Sequence, residues 1–325
     1  MLHTYLTETW NLRYPIIGAP MSGPGKGCLA RAVTQAGGLG MFGAGSEAKL
    51  EMIAQEAAVA RGDDQGRFGI GLMAWALEKR PELLEASLEA HPFMISISFG
   101  SPALYVEKAH KLGIYVASQV RSRAEALEAE QAGVDLIVAQ GTEAGGHTGH
   151  VGTLPMLQIA LESVQVPVVA AGGIATARGV AAVLAAGAQG AWIGTRLLAS
   201  PECDNSEEAR ARVVQAQETD TVLTRAFDVA QGLGWPEKYP GRALRNTFTN
   251  QWHTQVEALP GNEEARKQLK DAMARKDYDV AFIYAGQAVG LVNEQQPAGE
   301  IIRQLGEGAE QVLRERYNSL FSGSL

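Results

Sequence analysis

The chain has 325 residues, 46% of them hydrophobic and 20% charged, with a formal net charge of −8. That is the make-up of a globular protein with a large core, and it lacks the basic stripe that a nucleic-acid partner requires. Two cysteines, Cys28 and Cys203, share no CxxC spacing, so neither a disulfide framework nor a zinc site is expected.

Six histidines are scattered without HxH or HExxH spacing, so no metal site is expected. Residues 1–13 lack the basic-then-apolar layout of a signal peptide. No apolar run approaches the ~20 residues that span a bilayer. The expectation is a cytoplasmic protein without a membrane or nucleic-acid partner.

Short apolar runs then recur along the chain. They are 14–21 (YPIIGAPM), 39–45 (LGMFGAG), 67–73 (RFGIGLM), 93–99 (FMISISF), 114–120 (IYVASQV), 136–142, 166–173 (VPVVAAGG) and 190–197 (GAWIGTRL). Each reads as a buried strand bounded by turn residues. Helical stretches separate them. One runs from Cys28 to Ala36, and another from Glu47 to Ala60. A third begins at Ser101-Pro102 and stops at Gly113. A fourth carries Ala124, Leu127 and Ala132, and a fifth is capped by Thr176, with Val180, Val183, Leu184 and Gly187 on one face.

Strand and helix alternating in this way give parallel strands. Eight such units predict an α/β fold of the (β/α)8 TIM-barrel type. The competing arrangement, an open doubly wound sheet, usually has fewer strands and a GxGxxG after the first, which is absent here. After Ser200 the rhythm breaks. Residues 220–276 hold irregular segments around Trp235-Pro236 and Tyr239-Pro240-Gly241 and a charged helix at 262–275. We read them as a small helical domain inserted after the eighth unit, with 1–219 and 277–325 forming the barrel. The apolar run 280–292 and a last helix from about Ala298 to Leu320 should return to it.

In such barrels the working residues lie at the C-terminal strand ends. That rule selects Ala19, Pro20 and Met21 after the first strand, Ser118 and Gln119 on the fifth, Gln140 on the sixth, Gly172 and Gly173 on the seventh, and Gly194 and Thr195 on the eighth. The last four sit in the two loops where phosphate groups often bind, and bare backbone N–H groups suit a phosphate. The bland alternative is that these glycines only make tight turns. In the loop after the sixth strand, Gly145 and Gly146 remove two side chains, so a flat ligand fits against the backbone. His147 follows them, and an imidazole there suits a base near neutral pH; a purely structural histidine is the alternative. Glu143 either bonds His147 or is a solvated loop carboxylate. Tyr284 and His150 are candidates for the substrate pocket, Tyr284 equally for core and His150 for the rim. Trp192 reads as packing, and Arg242 and Arg245 as anchors of the inserted segment.

The segments QGTEAGGHTG (140–149), AAGGIATARGV (170–180), GAWIGTRLLA (190–199) and PIIGAPM (15–21) resemble the nitronate monooxygenase family, formerly called 2-nitropropane dioxygenases. ISISFG (95–100) and AGQAVGLV (285–292) resemble further family segments. The resemblance implies a TIM-barrel flavoprotein that uses FMN and O2 to convert an alkyl nitronate to a carbonyl compound and nitrite. It implies a phosphate site at Gly172, Gly173, Gly194 and Thr195, and a flavin ring near Pro20, Met21, Gln119, Gln140 and Gly145. His147 matches the family's catalytic histidine, which would deprotonate a neutral nitroalkane. Two positions depart from many relatives: Gly71 stands where they carry asparagine, and Gln119 where some carry lysine. A fixed positive charge is therefore expected to be missing near the flavin. An NAD(P)H-dependent FMN reductase of the quinone or enoyl-acyl-carrier-protein type stays open, as does a flavin-binding protein without turnover. Homodimer formation stays open too.

Overall fold

All eight apolar runs form strands. They are β1 (Ile16–Gly18), β2 (Met41–Gly43), β3 (Gly69–Met73), β4 (Met94–Ser98), β5 (Tyr115–Val120), β6 (Leu136–Gln140), β8 (Val168–Ala171) and β9 (Ala191–Ile193), with a two-residue strand β7 (Gly146–His147) inside the loop after β6. The computed structural model describes residues 2–63 and 65–321; the extreme ends of the expected barrel span, Met1 and 322–325, lie outside them. The eight strands pair in parallel in the order β1-β9-β8-β6-β5-β4-β3-β2. Leu39, just ahead of β2, bridges in parallel to Ile17. Its N–H donates to Ile16 O at 3.0 Å, and its carbonyl accepts from Gly18 N–H at 2.9 Å. The two edges thus meet, as a (β/α)8 barrel requires and an open sheet does not.

Side-chain alternation divides each strand between two cores. Ile17, Met41, Met94, Leu136, Val138, Val169 and Trp192 meet inside the barrel, which places Trp192 in packing. The short helix Tyr5–Glu8, capped by Thr4, lies across the bottom. Its Leu6 and the following Trp10 join the interior core, where Trp10 meets Tyr5, Phe93 and Tyr115 edge-on or tilted at 5.1–5.6 Å. The outward strand faces pack against a ring of helices. Seven of them are Gly27–Gln35, Leu50–Arg61, Glu82–Glu89, Ala103–His110, Arg123–Gln131, Thr153–Leu161 and Ala177–Ala185. The eighth is the last helix of the chain, Ala298–Phe321, which packs between the first and seventh.

Higher up the barrel the inward positions change character. Two residues past the bulky layer, the same face carries Ala19, Gly43, Gly71, Ser96, Gln119, Gln140 and Gly194. Small and polar residues replace isoleucine, methionine and tryptophan, so the top is not filled by the barrel's own side chains.

Between β9 and the last helix the chain makes β10 (Thr221–Thr224) and β11 (Gly241–Leu244), with helices at Ala226–Gln231, Thr247–Trp252 and Glu263–Arg275. The helical content expected for 220–276 is present. In addition, β10 and β11 pair antiparallel, and β11 pairs antiparallel with β7. The segment carries its own core of Phe227, Phe248, Trp252, Leu259 and Leu269. Among the described residues no helix is long and apolar enough to cross a membrane.

The bottom plug makes a prediction. Trp10→Ala removes a fully buried indole and should cost about 3–5 kcal/mol, read as a lower urea midpoint.

Candidate active site

The strand-end residues singled out from the sequence fall on neighbouring strands. Around the barrel the order is Gln119 on β5, Gln140 on β6, Gly172-Gly173 after β8, Gly194-Thr195 after β9, and Ala19-Pro20-Met21 after β1. They form one continuous arc of the rim. Ser118 is the exception: it is buried on the face of β5 opposite to Gln119, toward the helices.

In the middle of the arc, after β8 and β9, the backbone is bare. Gly172 and Gly173 adopt φ of +103° and +70°, a region that side-chain-bearing residues avoid. A Cβ on Gly172 would lie 2.9 Å from Thr153 Oγ1 and 3.0 Å from Gly141 O. Gly172, Gly194 and Thr195 are half-buried and Gly173 is exposed, so a ligand can reach this backbone. Thr195 also secures the returning chain, accepting Gly286 N–H at 2.9 Å. Gly145 serves the same junction, because a Cβ there would lie 2.6 Å from Gly286 N.

The β5–β6 side of the arc is organised by a residue that the sequence pattern did not single out. Arg121, just past β5, is 4% exposed. Its Nε donates to Gln140 Oε1 at 2.8 Å. Its terminal nitrogens donate to Gln119 O at 2.9 Å and Gln119 Oε1 at 3.3 Å. Both glutamine carbonyl oxygens are taken, so both side chains present their NH2 groups; that of Gln140 donates to His147 O at 3.2 Å. The guanidinium lies over Phe99 at 4.0 Å and Tyr239 at 4.9 Å. The cation absent at position 119 is thus present two residues further along the same strand face. Alternation alone points to it.

Burial by itself would raise the Glu125 carboxyl. The Arg121 charge, the Tyr239 hydroxyl at 2.8 Å and the Arg121 N–H at 2.9 Å together hold it below the usual carboxylate range. Burial lowers the proton affinity of Arg121 and raises that of Tyr239.

His147 lies in β7, in register with Gly241 of β11. Its side chain is 9% exposed, and its Nε2 is 3.0 Å from Asp228 Oδ2. Asp228, itself 5% exposed, accepts a second bond at Oδ1 from the Tyr284 hydroxyl at 3.2 Å. Burial and the adjacent carboxylate push the Tyr284 phenol well above its ordinary range, so it stays a donor. The indole of Trp235 stacks on the imidazole, centroids 3.4 Å apart and planes within 5°. Phe99, at φ +64°, backs Trp235 and Tyr239 edge-on at 4.8 and 5.3 Å. Asp228 and Trp235 come from the irregular segment, where no periodicity marks them.

Glu143 belongs to neither of the arrangements expected for it. Its carboxylate accepts the N–H and the hydroxyl of Thr153 at 2.8 and 2.7 Å and so caps the helix after β6. Arg242 is buried and anchors β11, donating to Thr142 O at 2.8 Å and Thr221 Oγ1 at 3.2 Å. His150 is exposed. Among the described residues no three His, Cys, Asp or Glu side chains form a metal-binding group.

A pH prediction follows from Glu125. Its folded-state affinity for protons is depressed, so its stabilisation is fully present above the ordinary carboxylate range, about pH 4.3. It is lost as pH falls through the lower folded value. Wild type should lose more stability than Glu125→Gln on acidification from about pH 4.5, measured by urea melts.

Known proteins similar to this chain point to one family. The family model for nitronate monooxygenase matches residues 81–308. A nitronate monooxygenase from Neurospora crassa is 30% identical, over 92% of this chain and 90% of that protein. A probable nitronate monooxygenase from Staphylococcus aureus is 29% identical, over 95% and 98%. Among solved structures, FabK from Thermotoga maritima is 29% identical with a TM-score of 0.84, over 98% of this chain and 100% of that one. A nitroalkane oxidase from Streptomyces ansochromogenes is 28% identical with a TM-score of 0.79, over 94% and 98%. A buried imidazole at the mouth of an eight-stranded barrel, and a family match across most of that barrel, lead to one conclusion: the chain belongs to the nitronate monooxygenase family and is an oxidoreductase.

Proposed function

We propose that the protein binds FMN along the rim arc and uses it, with O2, to oxidise alkyl nitronates to a carbonyl compound and nitrite. The observation that carries this reading is the position of His147. It is a buried, aromatically stacked imidazole in the loop after β6, and the neighbouring strand β8 ends in a bare, reachable glycine backbone. The residues present fit the cofactor. Gly172, Gly173, Gly194 and Thr195 suit the phosphate, since peptide N–H groups bind anions best where no side chain intervenes. Ala19, Pro20, Met21, Gln119, Gln140, Gly145 and Gly146 offer a flat wall with two amide donors.

The flavin, when bound, supplies the capacity to accept electrons from the substrate. The chain supplies the rest. Arg121 fixes both glutamine amides as donors. Trp235 and Phe99 shield the imidazole. His147 takes the α-proton of a neutral nitroalkane, and in its protonated form steadies a nitronate that arrives already ionised. We read 220–276 as a cap over the barrel of 1–219 and 277–325, with Tyr284 at the pocket edge and His150 on its rim.

The test is direct. The purified protein should be yellow, release FMN on denaturation, and form nitrite from ethyl nitronate in air. Bleaching by NADH with no nitrite would replace this reading by a reductase, and inertness to both by a binding protein. His147→Ala should retain FMN and lose about 10²–10⁴-fold in kcat/KM on nitroethane. Gly172→Ala should weaken FMN binding about tenfold or more, the equivalent of one hydrogen bond, read by flavin fluorescence on titration.

A further inference from the structure

His147 has two ring nitrogens, and the structure assigns them different tasks. Nε2 is 3.0 Å from Asp228 Oδ2, in a contact where both side chains are less than one-tenth exposed. An ionised carboxylate only accepts hydrogen bonds, so the proton between the two belongs to Nε2. Tyr284 donates to the other carboxylate oxygen at 3.2 Å, which holds Asp228 from behind. The Trp235 stack fixes the plane of the imidazole, and the bond to Asp228 fixes its rotation within that plane. Nδ1 is the nitrogen left over.

We propose that Asp228 is the positioning residue of His147: it holds the Nε2–H tautomer, leaves Nδ1 as the proton acceptor, and stabilises the imidazolium once formed. This rests on the reading of His147 as the base. In the step, Nδ1 takes the α-proton of a neutral nitroalkane. The C–H electron pair remains on the substrate and spreads into the nitro group, giving the nitronate, and the new cation lies against the Asp228 carboxylate. The other charged groups around the pair are engaged elsewhere. Arg242 on β11 bonds Thr142 and Thr221. Arg121 reaches His147 only through Gln140. Glu143 caps Thr153. Asp228 is therefore the one carboxylate in direct contact with the ring among the described residues.

The arrangement also ties the base to the inserted segment. Asp228 stands in the helix Ala226–Gln231 and Trp235 in the loop after it, whereas His147 belongs to a barrel loop. The imidazole is oriented only while that segment is seated on β7.

The experiment is Asp228→Asn in the full-length protein, which keeps the shape and removes the charge. With nitroethane, kcat/KM should fall about 10²-fold or more, while with preformed ethyl nitronate, which has no proton to lose, the loss should be clearly smaller. The histidine ¹H–¹⁵N spectrum, with His147→Ala for assignment, should show the Nε2–H tautomer in wild type. In Asp228→Asn the same resonance should titrate at lower pH. Tyr284→Phe removes a donor from the carboxylate and should move the titration the opposite way. Equal losses on both substrates, or a His147 titration and tautomer unchanged in Asp228→Asn, would overturn the assignment. If wild type turns over neither nitro compound, the proposed reaction fails, and the spectrum still decides the tautomer. If Asp228→Asn does not fold, Tyr284→Phe decides alone: no shift of the His147 titration, or a shift to lower pH, refutes the coupling.

Discussion

A strand of two residues holds the mouth of this barrel together. β7, in the loop after β6, pairs Gly146 and His147 with Arg242 and Gly241 of β11, the one strand pairing among the described residues between the segment after β9 and a barrel loop. The pairing sets tight steric terms. Gly146 takes φ +71°. Gly241 must lack a side chain, because a Cβ would lie 2.7 Å from Tyr284 Cε1 and 3.5 Å from His147 Nε2. With these met, the imidazole, the carboxylate from the added helix and the phenol from the returning chain converge in one buried cluster. A slip of one residue in this register would turn His147 to the opposite face and scatter the set.

The barrel beneath imposes a second constraint, a change of interior volume along its axis. Bulky side chains and the N-terminal plug fill the lower layers. The upper layer is glycine, alanine, serine and glutamine, which cannot close the same space. Arg121 makes that polar layer tolerable. Its guanidinium satisfies the carbonyl oxygens of two glutamines and meets the Glu125 carboxylate at 3.5 Å, while Phe99 and Tyr239 cover its faces. A buried cation needs this many partners, and in meeting the need it sets the direction of both amides.

The barrel was legible because its signal is local and repeated. Each strand is a short apolar run, several helices have a cap or a glycine stop, and eight repetitions leave few topologies. The rim arc was legible for a related reason: once the strands are known, their C-terminal ends are known. The cluster around His147 was not. Asp228 is 81 residues away in sequence, in a segment whose strands are four residues long and whose core is separate. Trp235-Pro236 stands out in the sequence as a break in rhythm, not as a ring that covers the imidazole. Glu143 shows the opposite hazard. Its closeness in sequence to His147 invites a pairing, but the helix N-terminus at Thr153 offers two donors and takes the carboxylate. Arg121 lies between these cases, recoverable from alternation past Gln119.

The sealed floor has a consequence for traffic. Leu6 and Trp10 close the bottom of the barrel, and the helix ring closes its sides, so whatever occupies the upper chamber enters and departs by the same doorway. The indole of Trp235, stacked on the imidazole, comes from the segment joined to β7 at that one open end.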